Sequence, residues 1–197
     1  MRVPGCSTEA FSKRAAGMLP TMLRAALEPL LRLLTQLTEQ IAKFDRQIER
    51  LLEDDYREAK VMTQITGVGA LTAVAFAVTI GDRRRFDRSR TVGAWVGLTP
   101  GQKGSGEQDP QQRITKEGDN YLRHLLINCS HYILGRFGPD CDLRRHGLAI
   151  AARGGKNAKK RAVVAVARKL AVLLHRLWCT QAVYDPLRQA NRLLTAA

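Results

Sequence analysis

A mainly α-helical chain is predicted by three observations. Apolar residues recur every three or four positions without a miss from Leu23 to Leu51. Further apolar stripes at helical spacing follow downstream, and alternating strand-like runs are few. With 197 residues the chain is long enough for one domain with a real core plus an extension. The expected architecture is a long heptad (coiled-coil) helix followed by a compact helical domain that contains a helix-hairpin-helix.

Taken in order, residues 1–19 mix Gly, Pro, Ser and charge without a period, and read as a disordered leader. Residues 20–60 read as an arm. Leu23, Leu27, Leu30, Leu34, Leu37, Ile41, Phe44, Ile48 and Leu51 form a heptad seam, with charged and amide residues on the other faces. Pro29 removes a backbone hydrogen bond from any helix interior, so it marks either the first residue of the main helix or a kink. Two readings suit the seam: an arm that pairs with a second copy through residues 23–52, or an amphipathic helix packed on its own domain. A period nearer 3.5 than 3.6 favours the arm.

Glu53-Asp54-Asp55 ends the arm, and residues 61–182 read as one helical domain. Ile65-Thr66-Gly67-Val68-Gly69-Ala70-Leu71-Thr72-Ala73 looks like a helix-hairpin-helix turn, in which Gly67 and Gly69 leave backbone N–H groups bare for a DNA phosphate. A plain helix–helix turn is the alternative. The second helix stops near Ile80, before Gly81-Asp82. Arg83, Arg84, Arg85, Arg88 and Arg90 then read as a phosphate-tracking patch. Thr91–Val96 reads as a short helix with Trp95 in the core, and residues 97–112 as a loop. A helix follows from Asn120 to Leu134, with Leu122, Leu125, Leu126, Cys129 and Ile133 on its apolar face. His124 and His131 on it read as core-edge or surface residues. After a connection and a further helix within 135–152, Gly154-Gly155-Lys156-Asn157-Ala158-Lys159-Lys160-Arg161 opens a helix over Ala158–Ala182. Its buried stripe is Val163, Val166, Leu170, Leu173, Leu174 and Leu177. Residues 183–197 are a tail.

The net charge is +14, of which residues 1–60 contribute +1 and residues 61–197 the other +13. A field of that sign draws polyanions, with nucleic acid the first candidate. Lys156, Lys159, Lys160 and Arg161 are a second basic cluster suited to phosphate. Cys6, Cys129, Cys141 and Cys179 show no metal-ligand spacing and read as reduced, mostly buried thiols, so no metal site is expected in this chain. No apolar run spans a membrane, and the first twenty residues do not form a signal peptide. A cytoplasmic protein is expected.

Gly97-Leu98-Thr99-Pro100-Gly101-Gln102-Lys103-Gly104-Ser105-Gly106 holds the one candidate nucleophile. Ser105 sits between two glycines, open to a large electrophile, with Lys103, Arg113 and Lys116 near it in sequence. A flexible surface turn is the ordinary reading of such a triplet.

Five segments in order carry a resemblance: TGVGALTA, IGDRRRF, GLTPGQKGSG, RITKEGDNYLRHLL and GGKNAKKRAVVAVARKLAVLLHRL. From about Thr63 to Leu177 the chain resembles the C-terminal transposase domain of the IS110/IS116/IS902 family of insertion-sequence transposases. The resemblance implies a DNA recombinase of bacterial nucleoid DNA, guided by a structured RNA, with a coiled coil ahead of the helical domain. It implies that Ser105, in the loop after Gly97-Leu98-Thr99-Pro100, is the nucleophile. It also implies a resolvase-like N-terminal domain whose acidic residues bind divalent metal. Glu9 is the only acidic residue of the leader, so the chain is expected to be the back part of a transposase, inactive alone. Arg113 and Lys116 are the candidates for holding the scissile phosphate. A non-catalytic nucleic-acid-binding or dimerisation module is the alternative.

Overall fold

The computed structural model describes residues 5–101 and 112–189. They are mainly helical, with a single isolated antiparallel bridge between Pro100 and Ile114. The chain divides into two compact units, residues 1–50 and 51–197.

The first unit departs from the expected disordered leader. Thr8–Met18 form a helix (α1), because the Ser7 hydroxyl accepts a hydrogen bond from the Ala10 N–H and caps the first turn. Ser12 and Ala15 are its buried face. The heptad segment forms one helix, α2, from Thr21 to Asp54, and Pro29 lies inside it rather than at its start. Leu23, Leu30, Leu34, Leu37, Ile41, Phe44 and Leu51 of the seam are 41–61 % exposed, and Leu27 and Ile48 are half-buried.

In the second unit the core is organised around α7 (Ala158–Thr180). Its buried face, Ala162, Val166, Leu170, Ala171, Leu174 and Leu177, packs against α5 (Asn120–Leu134), α6 (Asp142–Ala152) and α4 (Val92–Trp95). Val163 and Leu173, expected in that stripe, are half-buried instead. The helix ends at Thr180, two residues before the expected end, because Gln181 turns left-handed (φ 52°). α5 keeps both expected ends. The Asp119 carboxylate caps its start by accepting from the Leu122 N–H at 2.6 Å, and Arg144 donates to the Ile133 and Gly135 carbonyls at its end. Gly147 lets α6 approach closely: a Cβ there would lie 2.5 Å from Leu134 and 2.6 Å from Val166.

The hairpin region consists of a 3-10 helix, Arg57–Gln64, followed by α3 (Ala70–Ile80), so its first limb is tighter than an α-helix. α3 is apolar on nearly all sides and buried, with Phe76 edge-on to Trp178 of α7 at 6.4 Å. Trp95, expected in the core, is half-buried. Cys129 and Cys141 are buried as expected, while Cys179 is exposed and Cys6 half-buried; all four are free. Burial raises the Cys129 and Cys179 thiols above their ordinary range.

Candidate nucleic-acid interface

Arginine and lysine far apart in sequence meet in one cleft of about 1210 Å³. Its floor is the outward face of α7, where Lys160, Arg161, Arg168, Lys169 and Arg176 alternate with Val164, Ala165, Val172 and Leu173. Arg161, Arg168 and Arg176 stand seven and eight residues apart, nearly opposite the buried stripe, and trace a line of about 22 Å at 1.5 Å per residue. α6 supplies one wall through Leu143, His146 and Ile150, with Arg153 at its end. The other wall is Arg90, Leu98, Pro100, Arg113, Ile114 and Lys116. Residues 182–189 close one end and add Arg188. Ten Lys and Arg side chains line the cleft, against Asp142 and Asp185. Asp142 is occupied: its carboxylate accepts from the Gln189 N–H and its own N–H donates to Pro186. The cleft is therefore a strongly positive trough.

Two of its cations, Arg113 and Lys116, follow the serine-bearing segment closely in sequence. The described residues on either side of that segment form a pinched ladder. Gly101 N–H donates to Arg113 O at 2.9 Å, Thr115 N–H to Thr99 O at 2.9 Å, and Lys116 N–H to Gly97 O at 3.2 Å. Lys116 has φ 59°, the left-handed region that a side chain resists. Tight packing holds it there. A Cβ on Gly97 would lie 2.1 Å from Glu117 O, and one on Gly118 would lie 2.1 Å from Trp95 O. Arg123 braces the same corner by donating to Val96 O and Glu117 O. Thr115 Oγ1 is buried without a hydrogen-bond partner among the described residues.

Of the residues expected to bind DNA, the cleft gathers Arg113, Lys116, Lys160 and Arg161. Lys156 and Lys159 are exposed beside the start of α7 without lining it. Gly67 and Gly69 do not line it either. Gly67 turns the chain with φ 96°, and Gly69 precedes α3 with no side-chain cap on that helix. Arg83, Arg84 and Arg85 also lie outside the cleft lining. Arg83 pairs with Glu58 at 2.8 Å, and the Arg85 guanidinium sits 4.9 Å over the Trp95 ring. Ser105 and Lys103 lie outside the described residues. Arg153, Arg168, Lys169, Arg176 and Arg188 are lining residues that the sequence analysis does not single out, and Arg90 enters it only as part of the arginine run. The seven- and eight-residue spacing of Arg161, Arg168 and Arg176 was the available signal.

His175 organises the arginine run from below. It is 1 % exposed, with Nε2 3.0 Å from Arg83 O and Nδ1 2.9 Å from Ser89 Oγ. A carbonyl only accepts, so Nε2 carries the proton and Ser89 donates to Nδ1. Burial pushes the imidazole below the ordinary His range, against the Arg83 carbonyl, which raises it. His146 in the cleft wall is likewise lowered, by burial first and then by Lys169 and Arg153. Among the described residues no three His, Cys, Asp or Glu side chains gather as metal ligands, and no helix is long and apolar enough to cross a membrane.

Comparison with known proteins bears on this site. Residues 59–144 match the family model described as Transposase IS116/IS110/IS902 family. The chain is similar to a probable family 20 transposase of Pseudomonas aeruginosa, 32 % identical over 169 residues, covering 85 % of the chain and 49 % of that protein. It is similar to the transposase for insertion sequence element IS1111A of Coxiella burnetii, 32 % identical over 175 residues, covering 88 % of the chain and 47 % of that protein. The transposase for insertion sequence element IS1328 of Yersinia enterocolitica is 36 % identical over 114 residues, 54 % of the chain and 34 % of that protein. The chain thus spans about half the length, or less, of these curated relatives.

Proposed function

The chain belongs to the IS116/IS110/IS902 transposase family through residues 59–144, and from that premise we propose that its helical domain holds DNA for strand exchange with Ser105 as nucleophile. The observation that carries the reading is the convergence of Arg113 and Lys116, which follow the serine-bearing segment closely in sequence, with the arginine line of α7 in one positive cleft. The duplex backbone lies along Arg161, Arg168 and Arg176, and these contacts position it without reading sequence. Arg113 and Lys116 hold the scissile phosphate and stabilise the charge that develops on it.

In the proposed step the Ser105 oxygen attacks phosphorus. An O–P bond to serine forms and the P–O bond to the departing strand breaks, while the proton lost by the serine hydroxyl is balanced by one gained at the leaving oxygen. One phosphodiester link replaces another, so no external energy source is required. A serine hydroxyl needs activation at neutral pH. We assign that task to a resolvase-like acidic domain outside this chain, whose divalent metal would supply Lewis-acid chemistry when bound. In the same reading a structured RNA chooses the DNA, and residues 23–52 pair copies of the chain through the open heptad seam.

The test is strand transfer by the 197-residue chain supplied with the acidic domain of a complete relative. Ser105→Ala is expected to abolish transfer, at least a thousandfold, and to leave duplex binding within twofold. A digest of the trapped wild-type assembly is expected to carry a nucleotide adduct on Ser105. Equal transfer by the alanine variant overturns the nucleophile assignment. The chain alone is expected to bind DNA and cut nothing, and metal-dependent cleavage by it overturns the need for a second domain.

A further inference from the structure

A second face of the domain has the opposite chemistry to the cleft. The outward stripe of α5 carries Tyr121, 55 % exposed, and Tyr132, 46 % exposed. They are eleven residues apart, three turns of helix, so they lie within about 20° of one another around the axis and about 16 Å apart along it. Asn128 is exposed between them on the same stripe, with His124 and His131 exposed on its flank. Just past the end of α5, Phe137 is 73 % exposed, and the Arg136 guanidinium lies 4.6 Å from its ring centroid. The stripe has no carboxylate and no lysine. Arg123, the one arginine of α5, is bound to backbone at the loop corner.

Exposed aromatic rings with an amide between them, and with no lysine or carboxylate on the stripe, do not suit a duplex, which presents phosphate outward and hides its base faces. They suit bases out of a stack: ring faces for stacking, and Asn and His groups for the base edges. About five steps of 3.4 Å, or six nucleotides, cover the distance from Tyr121 to Tyr132. The tyrosine stripe also adjoins the glycine turn. A Cβ on Gly67 would lie 2.7 Å from the Tyr132 ring, so only glycine lets the turn sit against it.

We propose that this face of α5, from Tyr121 to Tyr132, binds an unpaired DNA strand, separately from the cleft. The inference rests on the strand-exchange reading for the source of that strand, since exchange leaves DNA transiently unpaired. It differs from that reading in residues and in the form of DNA bound.

The experiment uses the full chain and three labelled 12-mers of one sequence: single-stranded DNA, its duplex, and single-stranded RNA. Replacing both tyrosines (Tyr121→Ser with Tyr132→Ser) is expected to weaken single-stranded DNA at least tenfold and to leave the duplex within twofold. The Phe pair, Tyr121→Phe with Tyr132→Phe, is expected to bind like wild type. An iododeoxyuridine strand is expected to photocrosslink to Tyr121 or Tyr132. Single-strand affinity within twofold of wild type in the Ser pair, equal loss on both DNA probes, or a tenfold preference for RNA would each overturn the proposal. A wild-type chain that holds the single strand and ignores the duplex would instead sink the cleft reading and leave this one standing.

Discussion

Lys116 keeps a full side chain in a backbone region that costs about 1–2 kcal/mol for any residue but glycine. The surrounding ladder and the close packing of Gly97 and Gly118 enforce that conformation, and the position faces the cleft. Relieving it separates stability from binding. Lys116→Gly is expected to stabilise the domain by about 0.5–1 kcal/mol, since glycine's extra chain entropy offsets part of the relief, and to weaken duplex binding three- to tenfold. Urea unfolding beside an affinity titration checks both signs, and a stability loss would mean that the lysine side chain supports the fold. His175 makes a pH prediction. Its folded-state affinity for protons is below that of the unfolded chain, so its contribution is complete above the ordinary His range near 6.5 and is lost as pH falls below it. Stability measured at pH 7.5 and pH 5 is therefore expected to drop on acidification, and His175→Gln to flatten the drop. His146 adds a change of the same sign.

At the scale of elements, what was legible in sequence was whatever had a punctuated end. Gly69 and Gly81 bracket α3, and Asp119 and Gly135 bracket α5, because caps and left-handed turns are local chemistry. α1 was missed, since Ser7 is a cap only if the short segment behind it finds something to pack on. Pro29 was ambiguous for a similar reason: the apolar pattern on both sides outweighs one missing hydrogen bond, and the helix runs through it. The seam of α2 was read correctly as periodic, but periodicity does not say what covers it. If a second copy does, Leu37→Glu with Ile41→Glu would bury charge at the pairing face and weaken association at least a hundredfold. Sedimentation at micromolar concentration reads this directly. Residues 51–197 should keep their cooperative unfolding, as they form their own compact unit.

For the whole molecule, the sequence predicted a polyanion partner from net charge alone, but it did not assemble the site. Arg90, Arg153, Arg168 and Arg188 come from four different segments, and only packing around α7 makes them neighbours. If six to eight of the lining cations meet phosphates, log affinity for duplex DNA should fall against log salt with a slope of about −5 to −7. Arg168→Gln and Arg176→Gln should each flatten that slope by about one unit without changing sequence preference. A slope near zero would point to a partner other than a polyanion. The ladder between Thr99–Gly101 and Arg113–Thr115 has a different bearing. Because outgoing and incoming backbone already run side by side, the two limbs are fastened to one another by their own hydrogen bonds. A change of sequence between positions 101 and 112 is therefore expected to leave the cationic scaffold that flanks it as it is.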